Sequence, residues 1–307
     1  MASWNEVYKE LSSMNIPSPL EILRKNYLTR IYEHTKRNLI FYAANWTQQK
    51  NISPDAISIS EEDIQGFVET ISGLDLENKN LDLILHSPGG LAEVVEQIVK
   101  ILRSRFDNIR VIIPFGAMSA ATMFSCSANK ILMAEHSFLG PTDPQFILQT
   151  QNGLQAIPAQ AILDQFEKAK NEIVVNKSNS IIWLPMLQQY GPALLTQCEN
   201  AIKLSKSLVS EWLSNYMLSE ASSKKQIGDV ANALATHTNF NSHSRHIDRE
   251  KARQIGLNIE NLENDAILLD RVSSLYNATT ILFDTTAVVK LIENQNGIGI
   301  YKSQQQK

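Results

Sequence analysis

The sequence predicts an α/β fold built from parallel crossover units, and three observations carry that prediction. Short apolar runs alternate with amphipathic segments from Asn38 to Ala134. One of those runs ends in Ser87-Pro88-Gly89-Gly90, a turn that permits close backbone approach. The next crossover ends in Gly116-Ala117-Met118-Ser119-Ala120-Ala121, a small-residue strand-to-helix turn with a serine at its corner.

Taken in order, Leu20 to about Arg37 places Leu20, Leu23, Tyr27 and Ile31 at helical spacing, and Asn38–Ala43 follows as a buried strand. Ser60-Glu61-Glu62-Asp63 is a capping-box signature, continued by Ile64, Phe67, Val68 and Ile71 on one helical face. Leu81–His86 is a strand. The helix expected from about Leu91 to Arg105 aligns Val94, Val95, Ile98, Val99 and Leu102. Val111–Phe115 forms the next strand, Ser119–Ser127 a helix and Lys130–Ala134 a further strand. From about 157 to 219 the pattern turns helical, with breaks at Pro185 and Gly191-Pro192, and reads as an inserted arm. Asp248–Gly256 is a short helix closed by glycine. Asn296-Gly297, between Thr286–Ile292 and Ile298–Tyr301, signals a C-terminal hairpin. Residues 1–50 are expected to supply a helix and strand packed on the core. Residues 51–307 form the main domain, with the arm inside it.

Composition bounds the function. The 307 residues are 43% apolar and 20% charged, with a net charge of −4 and no block of like charge, so an electrostatic nucleic-acid binder is not expected. Two cysteines, Cys126 and Cys198, build neither a disulfide framework nor a metal site, and a reduced, cytoplasmic protein is expected. The amino-terminal residues lack the apolar run of a signal peptide. The uncharged run from Val111 to Asn129 approaches the ~20 residues of a membrane span. Its Pro114, Gly116 and scattered Ser, Thr and Ala suit a buried strand, turn and helix instead, so no membrane insertion is expected. No G-x-G-x-x-G fingerprint occurs, and no cofactor or metal is expected.

A serine hydroxyl becomes a nucleophile when a neighbouring base takes its proton, and the resulting oxyanion needs preorganised N–H donors. Ser119 in its turn, with the Ala120 amide beside it, supplies the first element; Gly89 and Gly90 offer a second donor. Leu91 and Met118 are expected to line an apolar pocket. The turn is not a G-x-S-x-G elbow, because Ala121 stands in place of the last glycine.

The runs LILHSPGG, PFGAMSAAT and SFLGPTDPQ resemble the serine dehydrogenase proteinase family of Clp-class serine peptidases, within the Clp protease and crotonase-like superfamily. LRKNYLTRIYEHTKRNLIFYAANW upstream and HSRHIDREKARQIGLNI downstream extend the likeness over most of the chain. The resemblance implies a ββα superhelix, Ser119 as nucleophile, Gly90 and Ala120 as oxyanion donors, hydrolysis of peptide bonds and a homo-oligomer formed through helical arms. Clp protease subunits carry a histidine after the strand that follows the serine helix; here Thr142 or Asp143 falls at that place. The related Ser-Lys peptidases take a lysine from a helix several dozen residues downstream, which makes Lys168 the first candidate base, followed by Lys170, Lys177 and Lys203. His237, His243 and His246 form a polar cluster held in reserve as the source of a catalytic histidine. The alternative reading is a catalytically inactive Clp-like module that binds polypeptide or mediates assembly. Acyl-CoA chemistry lacks the paired acids it would want near the turns.

Overall fold

A computed structural model describes residues 3–48, 51–150, 153–219, 223–236 and 242–304. Helices α1 (Trp4–Ser13) and α2 (Pro19–Thr35) lead into strand β1 (Asn38–Ala44), buried along its whole length. The short α3 (Pro54–Ile57) precedes α4 (Glu61–Ser72), whose capping box is formed: the Asp63 carboxylate accepts the Ser60 N–H at 2.9 Å. Next come β2 (Asn80–His86), α5 (Ala92–Arg103), β3 (Asn108–Ile113), the two-residue β4 (Gly116–Ala117), α6 (Ala120–Cys126) and β5 (Lys130–Met133).

Beyond β6 (Phe138–Leu139), the chain makes a hairpin of β7 (Gln145–Thr150) and β8 (Gly153–Pro158). Helical structure therefore starts at Ala159, later than the periodicity suggested, because Ile157 and Pro158 pair with Phe146 and Gln145. Helices α7 (Ala159–Val175), α8 (Ser180–Leu187) and α9 (Leu194–Trp212) make the arm. Gly191-Pro192 separates α8 from α9 as expected, whereas Pro185 is accommodated inside α8. The arm has its own small core of Ala159, Ile162, Leu194 and Cys198. Then α10 (Lys224–Ala235), β9 (Ile247–Asp248), α11 (Arg249–Ile255), β10 (Ile259–Asn261) and the long α12 (Ala266–Thr285) lead to the hairpin of β11 (Val288–Asn294) and β12 (Gly299–Ser303).

The main sheet has the order β10-β5-β3-β2-β1-β11-β12. The five strands from β10 to β1 run parallel, and β11 and β12 add an antiparallel edge. Alternating residues of one strand feed two different cores, as the strand's period of two requires. Ile40 and Tyr42 join the core beneath α4, α5 and α6; Leu39 and Phe41 join the core under α2 and α12. A parallel sheet covered on both faces, with an appended arm and terminal hairpin, is the Clp/crotonase-like architecture. β1 lies inside the sheet, between β2 and β11. In such sheets ligands gather beyond the carboxyl ends of the strands, and here that edge carries the turns after β2 and β3.

Candidate active site

The chain passes from β3 through β4 into α6 by way of Ser119, whose φ of 50° and ψ of −121° are unusual for a residue with a side chain. Those angles belong to the first corner of a type II′ turn, and the closing bond is present: the Ala121 N–H donates to the Met118 carbonyl at 2.8 Å. Strain of this kind persists only where the surroundings impose it. Here the Thr122 hydroxyl donates to the Ala117 carbonyl at 2.8 Å and accepts the Gly140 N–H at 3.0 Å, tying the corner to the loop beyond β6. The corner leaves Ser119 half-exposed, while every residue of the helix that follows is buried.

The turn after β2 is laced to this corner. Ser87 donates its N–H to the Gly116 carbonyl at 3.1 Å and accepts the Met118 N–H at 3.0 Å. Gly89 has φ +99°, and a β-carbon on it would lie 2.7–2.9 Å from the Met118 carbonyl oxygen, the Ser119 Cβ and the Ala120 nitrogen. Glycine is required there on both counts. The Gly89 N–H is taken by Ser87 Oγ at 3.1 Å. Among the described residues, neither the Gly90 N–H nor the Ala120 N–H meets an acceptor.

Gly89, Gly90, Leu91, Ser119 and Ala120 all line one groove of about 320 Å³, closed on its far side by Met123, Leu204 and Ser205. Leu91 stands half-exposed at its mouth. Met118 is absent from the lining; its side chain is buried against Gly140. A larger surface cleft of about 530 Å³, between α7, α9 and α10, contains none of the motif residues.

His243 is the basic side chain in the groove lining. Its Nδ1 lies 2.7 Å from Oδ1 of Asp143, a carboxylate only 2% exposed. Asp143 follows Thr142, whose N–H donates to the Leu234 carbonyl at 2.9 Å and whose carbonyl accepts the Ser205 hydroxyl at 2.8 Å. The loop that carries the acid is thus pinned from α9 and α10. A carboxylate oxygen accepts, so Nδ1–H donates to it and Nε2 takes no part in that bond.

The candidate lysines lie elsewhere. Lys168 and Lys170 are exposed on α7, and Lys170 pairs with Glu167 at 3.2 Å. Lys177 is exposed, and Lys203 faces the larger cleft. Among the described residues no lysine lines the groove. The helix that carries Lys168 buries Ala159, Ile162 and Ala169 and leaves the ammonium in water, without the desolvation that a lysine base requires. His246 is exposed and stacks on the Phe138 ring, with centroids 3.6 Å apart. His237 lies outside the described residues. His86, at the end of β2, is sealed among Trp46, Phe115 and Tyr276 and donates through Nδ1 to the Gly116 carbonyl at 3.2 Å; burial pushes its pKa down to about 3. No group of three His, Cys, Asp or Glu side chains able to hold a metal is found among the described residues.

The Asp143–His243 pairing was not legible as a pair. Its available signals were a Thr-Asp-Pro after the strand that follows the serine helix, and a histidine loop a hundred residues later.

A covered parallel sheet with a strained serine at one strand-to-helix corner and open amides beside it defines an α/β protein of Clp/crotonase-like fold with a groove at the carboxyl ends of its strands. Residues 57–278 match the ClpP-like SDH-type serine proteinases, and the chain belongs to that family. It is 31% identical over 169 residues to the uncharacterized protein MJ0137 of Methanocaldococcus jannaschii, covering 50% of this chain and 54% of that protein. A second protein of that organism, MJ1495, is 31% identical over 182 residues, covering 57% and 59% respectively. The chain thus spans little more than half the length of these relatives. Among solved structures, two variants of the 1510-N membrane-bound stomatin-specific protease superpose with a TM-score of 0.42. They are 16% and 17% identical over 70% of this chain, and cover 79% and 75% of their own; the second is in complex with a substrate peptide. No helix among the described residues is long and apolar enough to cross a membrane.

Proposed function

We propose that this chain is a serine peptidase in which Ser119 is the nucleophile, His243 the general base and Asp143 the residue that orients the imidazole. The observation that carries this is the 2.7 Å contact between His243 Nδ1 and the buried Asp143, at the edge of the groove that Ser119 lines. In the first step His243 Nε2 takes the Ser119 proton as Oγ adds to the peptide carbonyl. The oxyanion is held by the Gly90 and Ala120 amides, each such donor being worth about 3–4 kcal/mol of transition-state stabilisation. The imidazolium then returns its proton to the departing amine, leaving an acyl-Ser119. Water, deprotonated by the same ring, releases the acid and restores the serine. The order Ser…Asp…His along the chain is one of several in which this constellation occurs.

The lysine alternative would require Lys168 to leave solvent and enter the groove. Labelling with a fluorophosphonate separates the two. Ser119→Ala is expected to abolish labelling, His243→Ala to slow it by at least a hundredfold, and Lys168→Ala to leave it within twofold of the parent. Slow labelling in Lys168→Ala with a normal rate in His243→Ala would reverse the assignment of the base. Absence of labelling in the folded parent would leave only a polypeptide-binding role.

A further inference from the structure

A buried polar chain leads from β11 to the turn after β2. Lys290, in the middle of β11, is 2% exposed. Its ammonium donates to the Ser58 carbonyl at 3.0 Å and lies 2.7 Å from Oδ1 and 3.0 Å from Oδ2 of Asp63. Asp63 is fully buried and accepts the Tyr42 hydroxyl at 3.0 Å. Burial, then the Asp63 charge, pushes the Tyr42 phenol well above its ordinary pKa, so it remains a donor. At the turn itself the Oγ of the buried Ser87 accepts the Gly89 N–H at 3.1 Å.

The network reaches the same turn through Ser58. Ser58, gripped by Lys290, is followed by Ile59. The Ile59 N–H donates to the Gly89 carbonyl at 2.8 Å, and its carbonyl accepts the Leu91 N–H at 3.0 Å. Ser87 and the Ser58–Ile59 backbone therefore hold the Gly89 N–H, the Gly89 carbonyl and the Leu91 N–H. The Gly90 N–H between them has no acceptor among the described residues and belongs to a residue lining the groove.

Two consecutive glycines with φ of +99° and +155° form the least self-constrained part of the backbone near Ser119. Nothing in their own side chains fixes the direction of the peptide between them. A buried Lys–Asp pair is weak evidence for stability, because an apolar pair of similar volume often serves as well. The ion pair and the hydrogen bonds do, however, hold Lys290 and Asp63 in one geometry. We propose that Lys290, Asp63, Tyr42 and Ser87 are positioning residues that aim the Gly90 amide at the oxyanion formed on attack by Ser119. The inference rests on the peptidase reading above and extends it to four side chains that do not touch the substrate.

Tyr42→Phe removes the hydroxyl that donates to Asp63 and keeps the ring that stacks on Phe67. The double variant Asp63→Asn/Lys290→Met removes both charges together, so that neither is left buried alone. Each is compared with the parent for the rate of fluorophosphonate labelling and for the final fraction labelled. Tyr42→Phe is expected to label about tenfold more slowly or worse, but to the same end point. That loss is smaller than the ~10²–10³ for removing an oxyanion donor outright. A role confined to stability would lower the end point, by unfolding part of the sample, and leave the rate of the folded fraction alone. A Tyr42→Phe rate within threefold of the parent, or a loss seen only in the end point, overturns the proposal; if the double variant does not fold, Tyr42→Phe decides. A parent that does not label, or a Ser119→Ala protein that still labels, overturns the peptidase reading and this inference with it. Normal labelling in the parent with an unaltered Tyr42→Phe overturns this inference alone.

Discussion

Asp143 and His243 lie a hundred residues apart in the chain and 2.7 Å apart in space. One sits in the loop beyond β6, the other in the segment before β9, and these two strands pair antiparallel through Phe138–Asp248 and Leu139–Ile247. The three-stranded sheet β4-β6-β9 thereby brings the acid, the imidazole and the serine corner to one edge of the molecule.

Removal of the carboxylate tests its orienting role. Asp143→Asn is expected to lower peptide hydrolysis by about 10³–10⁴-fold with little change in KM, since the ring loses its tautomer and its counter-charge while the groove stays intact. Steady-state kinetics on a quenched fluorescent peptide, with circular dichroism to verify the fold, measure this. Activity within tenfold of the parent would exclude Asp143.

The backbone strain at Ser119 gives a stability prediction. Ser119→Gly should abolish activity and raise stability by about 1 kcal/mol, because glycine adopts φ 50°, ψ −121° without the ~1–3 kcal/mol penalty of a side chain there, less its own extra chain entropy. Urea unfolding of Ser119→Gly beside Ser119→Ala measures it. Equal midpoints would mean that the corner is relaxed.

Gly89→Ala is expected to do the opposite. The added methyl meets the Met118 carbonyl and the Ala120 nitrogen at 2.7–2.9 Å, and φ +99° is unfavourable for alanine. The turn must shift, at a cost of about 1–3 kcal/mol, and fluorophosphonate labelling should fall by at least a hundredfold. A variant that labels like the parent would separate this turn from the chemistry.

His86 makes stability depend on acid. Its pKa is about 3 when folded, against an ordinary value near 6.5 in the unfolded chain. Above about pH 6.5 both states hold the ring neutral and it contributes no pH dependence. Below that, the unfolded chain takes up a proton that the folded one refuses, so stability is lost progressively down to about pH 3, by up to roughly 5 kcal/mol. Urea midpoints from pH 7 to 4 should fall less steeply in His86→Gln; parallel curves would show that other groups govern the acid limb.

The arm carries exposed apolar residues, with Val174, Val175, Ile181 and Ile182 each about three-quarters exposed or more. If arms join copies of the chain, Ile181→Asp/Ile182→Asp should reduce the mass seen by light scattering while the circular dichroism spectrum is kept. An unchanged mass would place any assembly interface elsewhere.

Much of this fold was readable because its signals are local. NLIFYAA and NLDLILH are apolar runs too short for helices, and α5 shows its buried face as Val94, Val95, Ile98, Val99 and Leu102. The β7–β8 hairpin was not read although Asn152-Gly153 is a turn signal in the sequence: QFILQT and GLQAIP are partly exposed, and a helical pattern follows directly. Helix α1 gave too short a pattern to assign. Lys168 satisfied the spacing of a lysine base, but spacing carries no information about whether α7 borders the groove, and no residue of α7 lines it.

The sequence alone determined most strands of the sheet, the corner that holds Ser119 and the glycines that let a second turn approach it, since each depends on residues close together in the chain. Tertiary structure decided which basic side chain stands in the groove and which polar groups lie behind the glycines. Those contacts join Asp143 to His243 and Lys290 to Asp63 across 100 and 227 residues, and such partners are chosen by the closing of strands on one another, not by any pattern a short stretch of chain can display.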